Sequence, residues 1–214
     1  MRGERITQVE YSSLQAAYDH FNAALLRQSL PGALITLQRK NGAGGYFHQA
    51  RFIARDSSES ADEIALNPDV FAGINDTEIM QTLVHEMIHQ WQYYSGNPSR
   101  RCYHNQEWAA KMEEVGFMPS STGKPGGRKV GQSIADYVID GGRFDATWKD
   151  LQKGGFKIRW QSRDLHEPLT ISASINASVK PAGPPGRPSP GSATGPTAPG
   201  SSSRSPPGTQ AMEP

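Results

Sequence analysis

Residues 75–96 read NDTEIMQTLVHEMIHQWQYYSG, and within them His85, Glu86 and His89 set two imidazoles and a carboxylate on five consecutive positions. Ile79, Met80, Leu83, Val84, Met87, Ile88 and Trp91 recur with a period near 3.6, so the stretch is a helix with one apolar face. Asn75 to Glu78 supply a cap and a first-turn acid, and Gly96 ends the run. Residues four apart on such a helix lie about 40° apart. His85 and His89 can therefore reach one metal ion from the less apolar flank that they share with Gln92. Zinc held by two histidines and a third ligand keeps an open position, and Glu86 is placed to take a proton from water there. This pattern points to hydrolysis of an amide bond.

The third ligand comes from outside this helix, and the choice is short. His104 follows the Gly96-Asn97-Pro98 turn and opens a second helical pattern, with Trp108, Met112 and Val115 on one face and Gly116 closing it. Such a helix-loop-helix hairpin can bring His104 back over the first helix. Glu107 competes with it, because two histidines and a glutamate also hold catalytic zinc, and Asp136 stands third. The close-spaced pattern with a glycine and a third histidine just after the pair is excluded, since Gln92 and Ser95 occupy those places. His48 reads as a surface or packed residue, not a ligand.

These residues resemble the SprT-like zinc metalloproteases, a family that includes the eukaryotic DNA–protein crosslink protease Spartan. The family's paired ligands and catalytic acid fall on His85, His89 and Glu86. Its third histidine opens a His-Gly-x-x-Phe-like segment and falls on His104, in the run His104-Asn105-Gln106-Glu107-Trp108, where asparagine stands for the glycine and tryptophan for the phenylalanine. Upstream, Arg39-Lys40, Gly44-Gly45-Tyr46-Phe47 and Ile64-Ala65-Leu66-Asn67-Pro68 look like the strands that precede the zinc helix in this family, and Gly141-Gly142-Arg143-Phe144 is similar too. The resemblance runs over residues 14 to 160. It implies an α+β, zincin-like metalloprotease domain with a small sheet packed on the zinc helix, and one Zn2+ per chain. It also implies a protein or peptide substrate, with DNA as a partner in the repair of DNA–protein crosslinks.

Composition leaves room for a single catalytic domain. The chain has 214 residues, and the stretch from Lys180 to Pro214 holds ten of the sixteen prolines with many Gly and Ser and no Val, Ile, Leu or aromatic residue. Such a stretch cannot bury enough surface to fold. We divide the chain into a metalloprotease domain over 1–170 and a disordered Pro/Gly/Ser-rich tail over 171–214. A net charge of +1 gives no global pull toward nucleic acid or membrane. One cysteine, Cys102, allows no internal disulfide and no cysteine-based zinc site, and no apolar run has the length of a signal peptide or a membrane span, so the expected location is cytoplasmic.

The rest of the chain gives weaker signals. Ser12-Ser13 can cap a helix carrying Leu14, Tyr18, Phe21 and Leu25 and ending at Pro31-Gly32, and strands follow over 33–38, 46–54 and 63–66. Ile64 to Asn67 is the candidate edge strand on which an extended substrate would pair. Ser133 to Ile139 reads as a short helix, and Phe156 to Trp160 as a strand pairing with Leu169 to Ile175. Arg100, Arg101, Lys124, Arg128 and Lys129 lie in loops after the zinc helix and could form a positive rim that meets DNA. Tyr93, Tyr94, Tyr103 and Arg101 are open choices for steadying an oxyanion. Two rival classes stand beside the peptidase: a DNA-associated zinc-binding protein with little or no catalytic activity, and a metal hydrolase of non-protein amides.

The tail generates the first test. Deleting residues 181–214 is expected to leave the midpoint of thermal unfolding and the bound metal unchanged, and a clear drop in that midpoint would mean that the segment docks on the domain.

Overall fold

A helix needs an apolar stripe to bury, and the first one is longer than its serines suggest. The structure, a computed structural model, describes residues 5–100 and 103–163. Helix α1 spans Ile6–Leu26, so Ser12 and Ser13 lie inside it rather than at its start. The Ser13 hydroxyl donates to the Val9 carbonyl (3.0 Å), which uses up its capping capacity within the helix. Leu14, Ala17, Tyr18, Phe21 and Leu25 are the buried stripe. After α1 the side chain of Asn22 accepts from Leu30 N–H (3.2 Å) and donates to Leu30 C=O (3.1 Å), which turns the chain into the sheet.

Three strands follow, β1 (Ala33–Leu37), β2 (Gly45–Ile53) and β3 (Ser60–Leu66), in the spatial order β1-β3-β2. β1 runs parallel to β3 with Ala33 opposite Asp62, and β2 antiparallel with Gly45 opposite Leu66. This corrects the expectation for Ile64 to Asn67. β3 is the central strand, buried without a break from Asp62 to Leu66, and the free edges belong to β1 and β2. The reason is the parallel return of β1 beside β3, a long-range pairing that leaves no mark in local alternation. β2 bulges between His48 and Phe52, where Ala50 takes φ 45° and its N–H donates to Asp62 Oδ1 at 2.8 Å.

Helix α2 (Asp76–Ser95) starts in a capping box: Glu78 N–H donates to Asn75 Oδ1 (3.1 Å) and Asn75 N–H to Glu78 Oε2 (2.8 Å). Its apolar stripe, Ile79, Met80, Leu83, Val84, Met87 and Ile88, is at most 2% exposed. On the side of β2 the approach is close enough to require glycine. A Cβ on Gly45 would stand 2.7 Å from the Ala65 carbonyl and 2.9 Å from Thr82 Cγ2.

α3 (Gln106–Val115) leads into a two-stranded sheet of β4 (Phe117–Ser120) and β5 (Ala135–Val138), and α4 (Arg143–Lys153) completes the order. Here two further expectations change. Residues 135–138 are a strand and not a helix, because they pair antiparallel with β4, Pro119 facing Asp136. Among the described residues Phe156 to Trp160 joins no sheet: Ile158 N–H donates to Asp76 (3.2 Å), and Ser162 N–H beyond it to the Pro68 carbonyl (3.1 Å). The partner proposed for it, 169–175, lies outside the described residues, as does the tail over 171–214. The Gly141-Gly142-Arg143-Phe144 run is a structural joint. Arg143 donates to the carbonyls of Ala24 (2.9 Å), Leu25 (3.2 Å) and Glu114 (3.3 Å), tying together the C-terminal ends of α1 and α3. Phe144 stacks on Phe21 at 5.5 Å and packs tilted against Phe117 at 4.4 Å.

That joint sets a test of the fold. Gly116 closes α3 at φ 106°, and a Cβ there would lie 2.6 Å from the backbone nitrogen of Phe144 and 2.9 Å from that of Arg143. Gly116→Ala is therefore expected to cost at least about 2 kcal/mol, a fall of roughly 4–8 °C in melting temperature by calorimetry.

Candidate metal centre

One helix and the bridge that follows its hairpin turn supply the three imidazoles. His85 and His89 project from α2, and His104 lies just before α3, in an isolated antiparallel bridge with Gly131 whose two hydrogen bonds are 2.8 and 3.0 Å. The hairpin joins them: one ligand atom from each of the three residues lies within 4.8 Å of the other two. His85 and His104 are buried, and His89 is partly open.

The hairpin is held by the residues around the turn. Asn105 caps α3, its Oδ1 accepting from Trp108 N–H (2.9 Å) and from Gln92 Nε2 (2.7 Å), while its Nδ2 donates to Asn97 C=O (3.0 Å). The asparagine thus locks His104 between its own cap and α2. Glu107, the rival ligand, is committed elsewhere. Its carboxylate accepts from Asn97 N–H (2.7 Å) and Gln92 Nε2 (2.9 Å), and these two contacts, Asn97 first, hold it below the usual carboxylate range.

Asp136 is not among the clustered metal-binding groups. From β5 it receives the Nδ1–H of His85 at 2.8 Å and the Gln81 amide at 2.7 Å, both inside the core. The Nδ1–H of His104 donates to the Gly131 carbonyl at 3.2 Å. One short segment, 131–136, therefore orients two of the three rings. With Nδ1 committed as the donor, Nε2 is the nitrogen left to face a metal, and both Nε2 atoms are buried with no hydrogen-bond partner. Burial depresses His89 well below the ordinary value and pushes His104 down to about 3, the neighbouring imidazoles adding to both effects. Those two rings, His89 and His104, are neutral at neutral pH, as ligation requires. Trp108, fully buried, forms a floor beneath all three at 4.3 to 5.5 Å between ring centroids. Orphaned nitrogens, oriented rings and three converging ligand atoms fit a metal ion.

Glu86 is the acid beside this cluster. It is 2% exposed, and burial raises its carboxyl to about 7 against the opposing pull of His85 and the Phe47 N–H that donates to it. The register explains that donor. Asn67 N–H bonds to Gly44 C=O, so alternation turns Gly44 and Tyr46 toward β3 and leaves the backbone groups of Gly45 and Phe47 on the free edge of β2.

The basic residues are not drawn together in the same way. Lys124 and Arg128 are exposed in the 121–131 loop, Arg100 stacks on Tyr103 at 5.3 Å, and Lys129 pairs with Glu113 at 2.9 Å. Arg101 and Cys102 lie outside the described residues. His48 is a packed residue, its Nδ1 against the Gln49 carbonyl at 2.9 Å. Sequence reading placed Asp136 third among the candidates for the last ligand, behind His104 and Glu107, and overlooked Gln81 and Gly131. The one available signal was Gln81 itself, a polar residue one turn before His85 on the same helical face.

Set beside known proteins, residues 14–126 match the SprT-like family. A protein of Salmonella typhimurium described as an uncharacterized protein in the mucB 3'region is 48% identical over 54 residues, which are 25% of this chain and 73% of that protein. No solved structure matches the chain.

The second sphere can be tested apart from the ligands, with Zn2+ as the probe ion. Competition with a chelator is expected to show Asp136→Asn weakening the ion by roughly 10–100-fold, and His104→Ala weakening it further. Glu107→Ala is expected to keep the affinity and lower only the melting temperature, and the reverse ranking would transfer the ligand role to Glu107.

Proposed function

This chain belongs to the SprT-like family, and from that premise we propose that it is a zinc-dependent metallopeptidase of zincin-like architecture. His85, His89 and His104 hold one Zn2+, and Glu86 is the general base; the catalytic domain is residues 1–170, with 171–214 as a tail. The observation that carries the reading is the buried carboxyl of Glu86, held by the Phe47 N–H beside three imidazoles whose ligand atoms lie within 4.8 Å of one another. A metal kept only for structure has no use for a buried acid near neutrality, which disfavours the non-catalytic alternative.

A zinc ion held there supplies a Lewis acid that acidifies water and polarises the scissile carbonyl. The chain's own residues do the rest. Glu86 accepts the proton of the attacking water and later delivers it to the leaving nitrogen, a double duty suited to a group balanced near pH 7. An extended polypeptide can pair along the free edge of β2 beside Gly45, which replaces β3 as the substrate strand. We further propose that the substrate is protein held on DNA, in DNA–protein crosslink repair, with Arg100, Lys124 and Arg128 exposed to meet phosphate. Its location is proposed to be the cytoplasm, where a single cysteine needs no partner. Among the described residues no helix is long and apolar enough to cross a membrane.

Digestion of fluorescently labelled casein, with and without single-stranded DNA, tests the proposal. Glu86→Gln is expected to keep one zinc per chain and lose at least about 100-fold in rate. Undiminished cleavage by that variant would overturn the role of Glu86. Lys124→Glu with Arg128→Glu is expected to abolish any DNA stimulation and spare basal cleavage; stimulation that survives would place DNA elsewhere.

A further inference from the structure

The reaction needs a donor for the oxygen of the tetrahedral carbon, and the sequence offers four candidates, Tyr93, Tyr94, Tyr103 and Arg101. Arg101 lies outside the described residues. Tyr94 sits about 180° around α2 from His85, and its hydroxyl is spent on Asp62 Oδ1 at 3.2 Å, on the side of β3. Tyr103 precedes His104, which lies in an extended bridge where neighbouring side chains point to opposite sides, and its ring carries the Arg100 guanidinium at 5.3 Å.

Tyr93 differs on every count. With His85 at zero, His89 lies at about 40°, Tyr93 at about 80° and Glu86 at about 100° around the helix. Its phase falls between the second ligand and the catalytic acid. Helical side chains lean back over the preceding turn, which for Tyr93 is the turn of His89. Its ring packs 6.3 Å from Phe47, the residue whose N–H holds Glu86. The side chain is half-buried, and among the described residues no hydrogen bond occupies its hydroxyl. One aromatic contact thus joins the base's own anchor to a free O–H donor on the ligand face.

We propose that Tyr93 is a further catalytic residue, its phenol donating a hydrogen bond to the oxyanion that develops on the scissile carbonyl. The proposal rests on the peptidase reading of the site. As the water oxygen bonds to the carbonyl carbon and its proton passes to Glu86, the carbonyl π pair moves onto oxygen, where the Tyr93 O–H meets it. When the C–N bond breaks, that pair returns to re-form C=O and the nitrogen takes the proton from Glu86. Tyr93 keeps its own proton throughout.

The test compares Tyr93→Phe with Tyr94→Phe in the zinc-loaded full chain. Tyr93→Phe is expected to lower kcat on labelled casein about 100-fold, with KM, zinc affinity and melting temperature unchanged. Its affinity for a phosphinic peptide, whose anionic oxygens stand in for the tetrahedral carbon's, is expected to fall with kcat, while Tyr94→Phe keeps both. An active wild type with Tyr93→Phe within twofold of it in kcat overturns this proposal alone. A wild type that cleaves nothing overturns the peptidase reading, and this proposal with it.

Discussion

Two imidazole nitrogens, His85 Nε2 and His104 Nε2, are buried without a hydrogen-bond partner, and this constraint organises the molecule around them. A buried polar atom left unsatisfied costs about 1–3 kcal/mol, so two in one place are a debt that only a third party can settle. The surroundings suit a metal cation, since three imidazoles converge there. His85 and His104 each have the other nitrogen committed as a donor, to Asp136 at 2.8 Å and to the Gly131 carbonyl at 3.2 Å, so rotating the tautomer would break a buried bond to cure an orphan.

The scaffold explains how such a site is tolerated. α2 is anchored by its capping box and a stripe at most 2% exposed, and its ligands occupy only the flank that this burial leaves over. α3 is fixed to it by the Asn105, Gln92 and Glu107 bonds around the turn. β5 then brings Asp136 up from below. Breaking any one of these supports misplaces a ring without removing a ligand, so the site is sensitive to residues that never touch the ion.

Glu86 and β2 form the second half of the device. Close approach at Gly45 brings β2 within reach of α2, and the Phe47 N–H, freed by the alternation of an edge strand, takes the carboxylate. The same alternation leaves Gly45 facing outward on that edge. The proposed base and the proposed substrate strand are thus positioned by one short piece of chain. The bulge beyond it, closed by Asp62 on Ala50, ends the regular edge after His48.

The sequence by itself determined what short-range physics controls. The limits of α2, the cap at Asn75, the stop at Gly96, the paired histidines with Glu86 and the closing Gly116 are all written within a few residues of where they act. The three strands of the first sheet were legible for the same reason, and His104 was reachable because a short hairpin leaves it little freedom. Tertiary structure decided everything that depends on which distant segment arrives beside which. A parallel partner made β3 central and moved the free edge to β2, pairing with β4 turned 135–138 from helix into strand, and buried donors made Asp136 an orienting acceptor and not a ligand. Contacts between segments far apart in sequence have no local pattern to announce them, since loop closure leaves many partners open and only the packed core selects one.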